Sequence, residues 1–357
     1  MDSITNKNIF LQLKAITQKY LPQSLITFFK DYKYKFLNVY RSYKYNLSFV
    51  EQKQPISIIK NLLETTKKIS RTARKTILFY PNYPYRKATI YQLCLALGYD
   101  VINNPKNQFD VGIYWKRYST YFPQDPILSQ LLNEKKTVLN YHCQDVSKTY
   151  IDRAFLEVFG YSTIIDPLTY QGQCVAKSDL NAQHDGKIID CPLESKQSGI
   201  IYQKLIDNEV KKGQVVDFRV PIFKQTIPVV YKYLKKNLNA EQRFFGYPSL
   251  ISVDIIKPRE IFTSEEISNI LQFCQKIGLD CGELDILRDK QDRRIYIIDA
   301  NNTPSSRLLF EPLQMASEEC ILSYQQRQTI IEKLVLALQK EIFALDYSKT
   351  STIATDK

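Results

Sequence analysis

The spacing of apolar residues changes character several times along the chain. Between residues 8 and 45 they recur every three or four positions with Lys and Tyr between them, which predicts two helices broken near Pro22. From Thr76 the runs shorten. "TILFYP" predicts a strand, "RKATIYQLCLALG" a helix stopping at Gly98, and "DVINN" and "FDVGIYW" two more strands. Strand, helix, strand in that order implies a parallel βαβ unit. A second alternation follows in strand "KTVLNY", helix "SKTYIDRAFLEVFG" and strand "STIID".

From Gly172 to Val253 strands dominate: "GQCVAKS", "GKIID", "GIIYQKLI", "VVDFRVPIF" and "TIPVVYKYL" predict antiparallel pairing through polar turns. The helix "SEEISNILQFCQKIG" is expected to be capped by Ser264, with Glu265 and Glu266 at its positive end. Strands "ELDILRD" and "RRIYIIDA" follow, then a final helix over 318–343. The expected organisation is a helical extension at 1–70, an α/β layer at 71–140, a larger mixed domain at 141–345 and a disordered tail at 346–357. The fold class is α/β (α+β).

Composition narrows this picture. Hydrophobic residues at 44% and charged residues at 24% are those of a globular chain. No apolar run approaches the roughly 20 residues of a membrane span, and "MDSITNKNIF" predicts no signal peptide. Seven cysteines without C-x-x-C pairs argue against a zinc site or a disulfide framework and suit a reducing cytoplasm. With only His142 and His184, histidine-based metal sites and catalysis have little material.

Charge adds a location. Of the net +12, residues 1–55 supply +6, from nine basic against three acidic side chains. This basic segment predicts a helical arm packed on the body or, alternatively, a surface touching an anionic membrane or a partner. No nucleic-acid motif accompanies the charge, so no nucleic-acid partner is expected.

Candidate chemistry concentrates in "CGELDILRDKQDRRIYIIDANNTP". Two apolar strands flank "RDKQDRR", which predicts a hairpin. If it turns on Asp292, Asp285 and Asp299 are equidistant from the turn and face each other. Asn301, two residues on, shares their face. Facing carboxylates repel, and a hard divalent cation with oxygen ligands removes the conflict. The other reading of Asp299 and Asn301 is that they merely begin an Asn-rich turn.

Strand, Asp, hairpin, apolar strand, acid-x-Asn-x-x-Pro resembles the metal-binding end of the ATP-grasp superfamily, and the resemblance extends over 76–312. It implies an ATP-grasp-like fold whose ATP-binding domain is built in two parts from antiparallel sheets. It further implies that Asp285, Asp299 and Asn301 bind Mg²⁺, two ions, against the phosphates of ATP. Many members have Glu where this chain has Asp299. "CQDVSKTYIDRAFLEVFGYSTIIDP" and "GQCVAKSD" resemble the segments that carry two ATP lysines, giving Lys148 and Lys177. The phosphate loop of the family is Gly-rich, whereas "SDLNAQHDGKI" has only Gly186, and Asn181, His184 and Asp185 stand in its place. "IIYQKLIDNEV" resembles the adenine hinge, which assigns Gln203, Lys204, Leu205 and Ile206 to adenine and Glu209 to ribose. "VVDFRVPIF" resembles the strand whose Arg219 faces the phosphates or substrate, and Lys232 and Arg243 are basic residues of the same sheet region.

The activity implied is Mg-ATP-dependent, ADP-forming carboxylate–amine ligation through an acyl phosphate, with an amine or a thiol as acceptor. Arg219 would steady the transferred group, and Asn302, Thr303 and Ser305 would lie near the acceptor. Arg86, Lys116 and Arg117 are candidates for an anionic acceptor. Two alternatives are a small-molecule kinase on the same fold and a non-catalytic nucleotide-binding scaffold. The expected partners are small carboxylates and amines; a homodimer is compatible with the sequence but not required by it.

Overall fold

The structure is a computed structural model. It describes residues 74–85, 88–116, 125–181, 183, 185–237, 250–305, 322 and 324–343, all within one contact unit at 57–357. The expected helices of 1–70, the tail, and the side chains of Arg86, Arg117, His184 and Arg243 lie outside the described residues.

The first sheet is parallel throughout. Strands β1 (Thr76–Pro81), β2 (Asp100–Ile102), β3 (Val111–Trp115) and β4 (Val138–Leu139) lie in the order β2-β1-β3-β4. Helix α1 (Thr89–Ala96) makes the first crossover, and Gly98, at φ +68, lets the chain leave it. Helix α2 (Pro126–Asn133) makes the second and was not anticipated. Its signal is local: Asp125 accepts from Ile127 N, and Pro126 sits in the first turn. Strand β4 is shorter than "KTVLNY" suggests, because Asn140 turns to φ +57 and spends its side chain elsewhere.

Helix α3 (Lys148–Phe159) runs from a Ser147 cap to Gly160 at φ +78. Ile151, Ala154 and Phe155 form its buried stripe. The strand expected at "STIID" does not form. The Asp152 carboxylate accepts from Ser162 Oγ (2.6 Å), Thr163 N (2.6 Å), Thr163 Oγ1 (2.6 Å) and Ile164 N (3.2 Å), so these groups are satisfied by one side chain. Only an isolated bridge, Ile164 to Gln203, remains.

Strands β5 (Gly172–Ser178), β6 (Lys187–Cys191) and β7 (Ile200–Lys204) form an antiparallel sheet in the order β6-β5-β7. The largest sheet is also antiparallel. It runs β11 (Leu250–Ile256), β10 (Val230–Lys236), β9 (Gln214–Phe223), β12 (Cys281–Arg288), β13 (Ile295–Asn301), with β8 (Glu209–Lys211) on β9. A short helix α4 (Pro258–Ile261) precedes α5 (Ser264–Lys276). The cap of α5 is Thr263, one residue before the expected Ser264. Its hydroxyl accepts from Glu266 N while Glu266 accepts from Thr263 N, a reciprocal pair that Ser264 could not close at this spacing.

One face of the large sheet is packed by α3 and α5, with Phe155, Phe273, Ile270, Val220, Leu284 and Ile297 buried between them. Burying each such side chain contributes about 1.5–3 kcal/mol. At one end of the other face, Phe223, Tyr231, Tyr233 and Cys281 join a second core with the parallel sheet, α1 and helix α6 (Tyr324–Phe343). Farther along that face stand Arg219, Glu283, Asp285, Asp299 and Asn301. Among the described residues no helix is long and apolar enough to cross a membrane.

Candidate functional site

The facing acids are built by the hairpin and corrected by a bulge. Arg288 pairs with Ile295, so the turn itself centres slightly before Asp292. Ile286 then pairs with Ile297, but Asp285 pairs with Asp299, leaving Ile298 as the extra residue on β13. That one residue places Asp285 opposite Asp299, as the sequence predicts, and Glu283 opposite Asn301. Directly paired residues bring their Cβ atoms to about 4.5–5.5 Å.

The row continues across the sheet as Tyr231, Arg219, Asp285 and Asp299, on β10, β9, β12 and β13. Arg219 donates from Nε to Asp285 Oδ1 at 2.8 Å and from Nη2 to Oδ2 at 3.3 Å. Its Nε is also 3.2 Å from Glu283 Oε1. The Tyr233 ring lies 5.6 Å from the guanidinium carbon. Lys232 pairs with Phe218 in register, so it points to the other face and meets Asp254 at 3.6 Å. Lys116 follows the end of β3, away from this row in sequence and sheet.

Two lysines reach the acids from other elements. Lys148 opens α3 and is buried; its Nζ donates to Leu180 O at 2.7 Å. Lys177 lies on β5 and is half-buried. The loop after β5 docks on both neighbours. Asp179 Oδ1 accepts from Thr149 N (2.7 Å) at the positive end of α3, and Asn181 Nδ2 donates to Ala300 O (3.4 Å) on β13. Asp185 Oδ1 accepts from Ser178 N at 3.2 Å. Side chains of this Gly-poor loop thus hold it against α3 and β13.

The electrostatics follow from crowding. Burial, and then the charge of Asp285, raise the Asp299 carboxyl above its ordinary range, while Lys148 and Lys177 pull it back. Burial lowers Lys148, opposed chiefly by Asp299. Burial, aided by Lys148, pulls Lys177 down to about 8 against the attraction of Asp299, Asp285 and Asp185. Burial pushes Glu283 up to about 7, against the pull of Arg219. Asp299 forms no ion pair within 4 Å among the described residues, in contrast to Asp285.

This chemistry suits a hard cation beside a polyanion. Among the described residues Asp299 lacks a direct counter-charge, and Asp285 retains lone pairs beyond those given to Arg219. Asn301 Oδ1 accepts from Thr303 N at 3.0 Å and, as an amide oxygen, has a second lone pair. No group of three His, Cys, Asp or Glu side chains stands ready as a metal site among the described residues, so the candidate set is two carboxylates and an amide. Glu283 was missed in sequence, although its period-two spacing from Asp285 in "GELDI" puts it on the same face. Tyr231 was also missed; it is buried, and its hydroxyl has no hydrogen-bond partner among the described residues.

The hinge residues have partners outside the row. Gln203 Nε2 donates to Thr163 Oγ1 at 2.7 Å. Lys204 Nζ meets Asp289 (2.8 Å) and Asp292 (3.0 Å) in the hairpin turn, which hold it above the ordinary lysine range. Leu205 is half-buried and Ile206 buried. Glu209 Oε1 accepts from Gly213 N at 2.8 Å, inside its own turn. Asn302, Thr303 and Ser305 lie at the seam with the parallel sheet. Asn302 Nδ2 donates to Cys143 O (3.2 Å), Thr303 O accepts from Tyr85 Oη (2.5 Å), and Ser305 bridges to Ala88.

No protein-family model matches the chain, and no curated protein matches it by sequence. Among solved structures it is similar to the ATP-grasp ligase PsnB complexed with a minimal precursor, at 11% identity and a TM-score of 0.47, over 74% of this chain and 100% of that one. It is similar to D-alanine–D-alanine ligase from Bacillus anthracis complexed with ATP, at 12% identity and a TM-score of 0.42, over 75% and 100% of the two chains. A third similar structure is the L-amino acid ligase from Bacillus licheniformis, at 13% identity and a TM-score of 0.39, over 65% and 68%. All three of these solved structures are ligases.

Proposed function

We propose that the chain is an ADP-forming ligase that binds Mg-ATP over the large sheet and activates a carboxylate for attack by an amine or a thiol. The observation that carries this reading is the facing pair Asp285 and Asp299, with Lys148 and Lys177 brought in from α3 and β5 close enough to shift and be shifted by Asp299. Two acids and two lysines gathered in one partly buried place suit a divalent cation and a polyphosphate together.

Asp285, Asp299 and Asn301 would hold Mg²⁺, two ions in this reading; when bound, Mg²⁺ supplies neutralising charge for phosphate oxygens. Lys148 and Lys177 bind phosphate oxygens as point charges. Arg219 steadies the transferred phosphoryl group from β9. The backbone of Gln203, Lys204, Leu205 and Ile206 takes adenine, and Glu209 takes ribose after leaving its turn. Asn302, Thr303 and Ser305 shape the acceptor side together with the 71–140 layer. Transfer of the γ-phosphoryl group to the carboxylate yields ADP and an acyl phosphate, and the acceptor then displaces phosphate.

The test is ADP release with Mg²⁺ across a panel of carboxylates and of alcohols, each with and without amines, using Asp299→Asn as control. Amine-dependent release that disappears in the variant is expected. Release of a stable phosphorylated alcohol instead would mark a kinase, and equal turnover by the variant would sink the assignment of Asp299.

A further inference from the structure

Arg219 stands between two carboxylates on β12, and it does not share itself equally. Glu283 precedes Asp285 by two residues, so both project from the same face. Arg219 Nε lies 2.8 Å from Asp285 Oδ1 and 3.2 Å from Glu283 Oε1. Nε carries a single hydrogen, so the two acids compete for it. Asp285 has the better share because Nη2 also reaches its second oxygen.

Glu283 has no other obvious claim on a cation. It is only 4% exposed. In register it faces Pro221 on β9, which has neither charge nor N–H, and Asn301 on β13. Arg219 is the one cation within 4 Å of it among the described residues. A buried acid is costly unless paired, and here its partner is held chiefly by a neighbour.

The arrangement makes sense if the neighbour is needed elsewhere. A divalent cation at Asp285 repels a guanidinium on the same carboxylate. Arg219 must then move, and Glu283 is already within 3.2 Å. The Tyr233 ring under the guanidinium attracts it without fixing its direction, so a short slide keeps that contact. We propose that Glu283 is a positioning residue that receives Arg219 when Asp285 turns to a divalent cation, keeping the guanidinium on the sheet and off the metal. This rests on the cation site of the proposed function.

The probe is Mn²⁺, titrated by electron paramagnetic resonance into the full chain with a non-hydrolysable ATP analogue. Glu283→Gln leaves Arg219 on Asp285, and Mn²⁺ affinity is expected to fall by about tenfold or more. In an Arg219→Met background the same change is expected to matter by less than roughly threefold, because Glu283 acts through Arg219. Glu283→Asp keeps the charge and is expected to lose less than Glu283→Gln. Should Glu283→Gln not fold, the comparison is made with Glu283→Asp, whose loss must vanish with Arg219→Met. Unchanged Mn²⁺ affinity in Glu283→Gln, or an equal loss in both backgrounds, overturns the proposal while leaving the cation site standing. Wild type that takes up no Mn²⁺ with the analogue overturns the site and this role together.

Discussion

Asp285 faces Asp299 across the β12–β13 ladder, yet among the described residues only Asp285 has an ion pair, formed with Arg219 from the strand on its other side. The pair is therefore asymmetric before any ligand arrives. Asp285 is neutralised locally, whereas Asp299 sits among two more distant lysines with its carboxyl raised by burial and by its neighbour.

Asp299→Asn removes the repulsion and the proposed ligand together. Mg²⁺-dependent ATP affinity should fall at least about tenfold in calorimetry, by analogy with the loss of outer partners alone. Stability without ligand should hold or rise by up to about 1 kcal/mol, since directly opposed like charges destabilise a ladder by that order. A chemical melt showing clear destabilisation with unaltered ATP binding would assign Asp299 to structure.

Lys177, pulled down to about 8 from the ordinary 10.5, sets two opposite pH trends. Above pH 8 the ligand-free protein loses this charge, so ATP affinity should decline as pH rises through that value, and Lys177→Met should be weak and flat. Stability runs the other way. Between 8 and 10.5 the unfolded chain binds more protons at this site, so its contribution to stability rises with pH, and the cost of burying the charge is present in full below 8. Denaturant melts of wild type and Lys177→Met across this window should differ in slope, and identical slopes would count against the assignment.

Asn140→Ala tests the seam between the sheets. Asn140 is fully buried; its Oδ1 accepts from Asp280 N and Cys281 N, both at 2.8 Å, and its Nδ2 donates to Cys281 O at 2.7 Å. The change leaves buried donors unpaired, each at about 1–3 kcal/mol. A loss of about 3 kcal/mol or more in urea denaturation is expected, and a loss under about 1 kcal/mol would mean that water replaces the amide.

Gly282→Ala links packing to the site. A Cβ at 282 would come within 2.6 Å of Asn301 O and of Leu279 Cδ1. Backbone at that distance must shift, and Asn301 carries the amide assigned to the cation. The variant should lose about 1–3 kcal/mol of stability, as overpacking does, and bind Mg-ATP more weakly than its residual folded fraction explains. Normal Mg-ATP affinity in the folded fraction would separate the Asn301 backbone from the site.

Much of the fold was legible from local pattern. The parallel unit from Thr76, the antiparallel run after Gly172 and the hairpin are each written in period and turn chemistry, which act over a few residues. Errors arose where one side chain replaced a ladder or a cap. Asp152 absorbed the donors of "STIID", and Thr263 with Glu266 closed a capping pair one residue early. Helix α2 is marked by Asp125 and Pro126 at its start rather than by a long apolar period. The register of Asp285 with Asp299 held because the bulge at Ile298 offset a turn centred half a residue earlier.

The sequence by itself determined which acids share a strand face, because alternation is a property of the backbone and needs no partner. Lys148 and Lys177 became candidates only through the resemblance of their segments to a known family. What only the tertiary structure decided is who neutralises whom. Arg219 comes to Asp285 from a strand 66 residues away, Lys148 and Lys177 come to Asp299 from two other elements, and Glu283 is left beside an arginine it only partly holds. Charges interact through space, at distances that the order of residues does not contain.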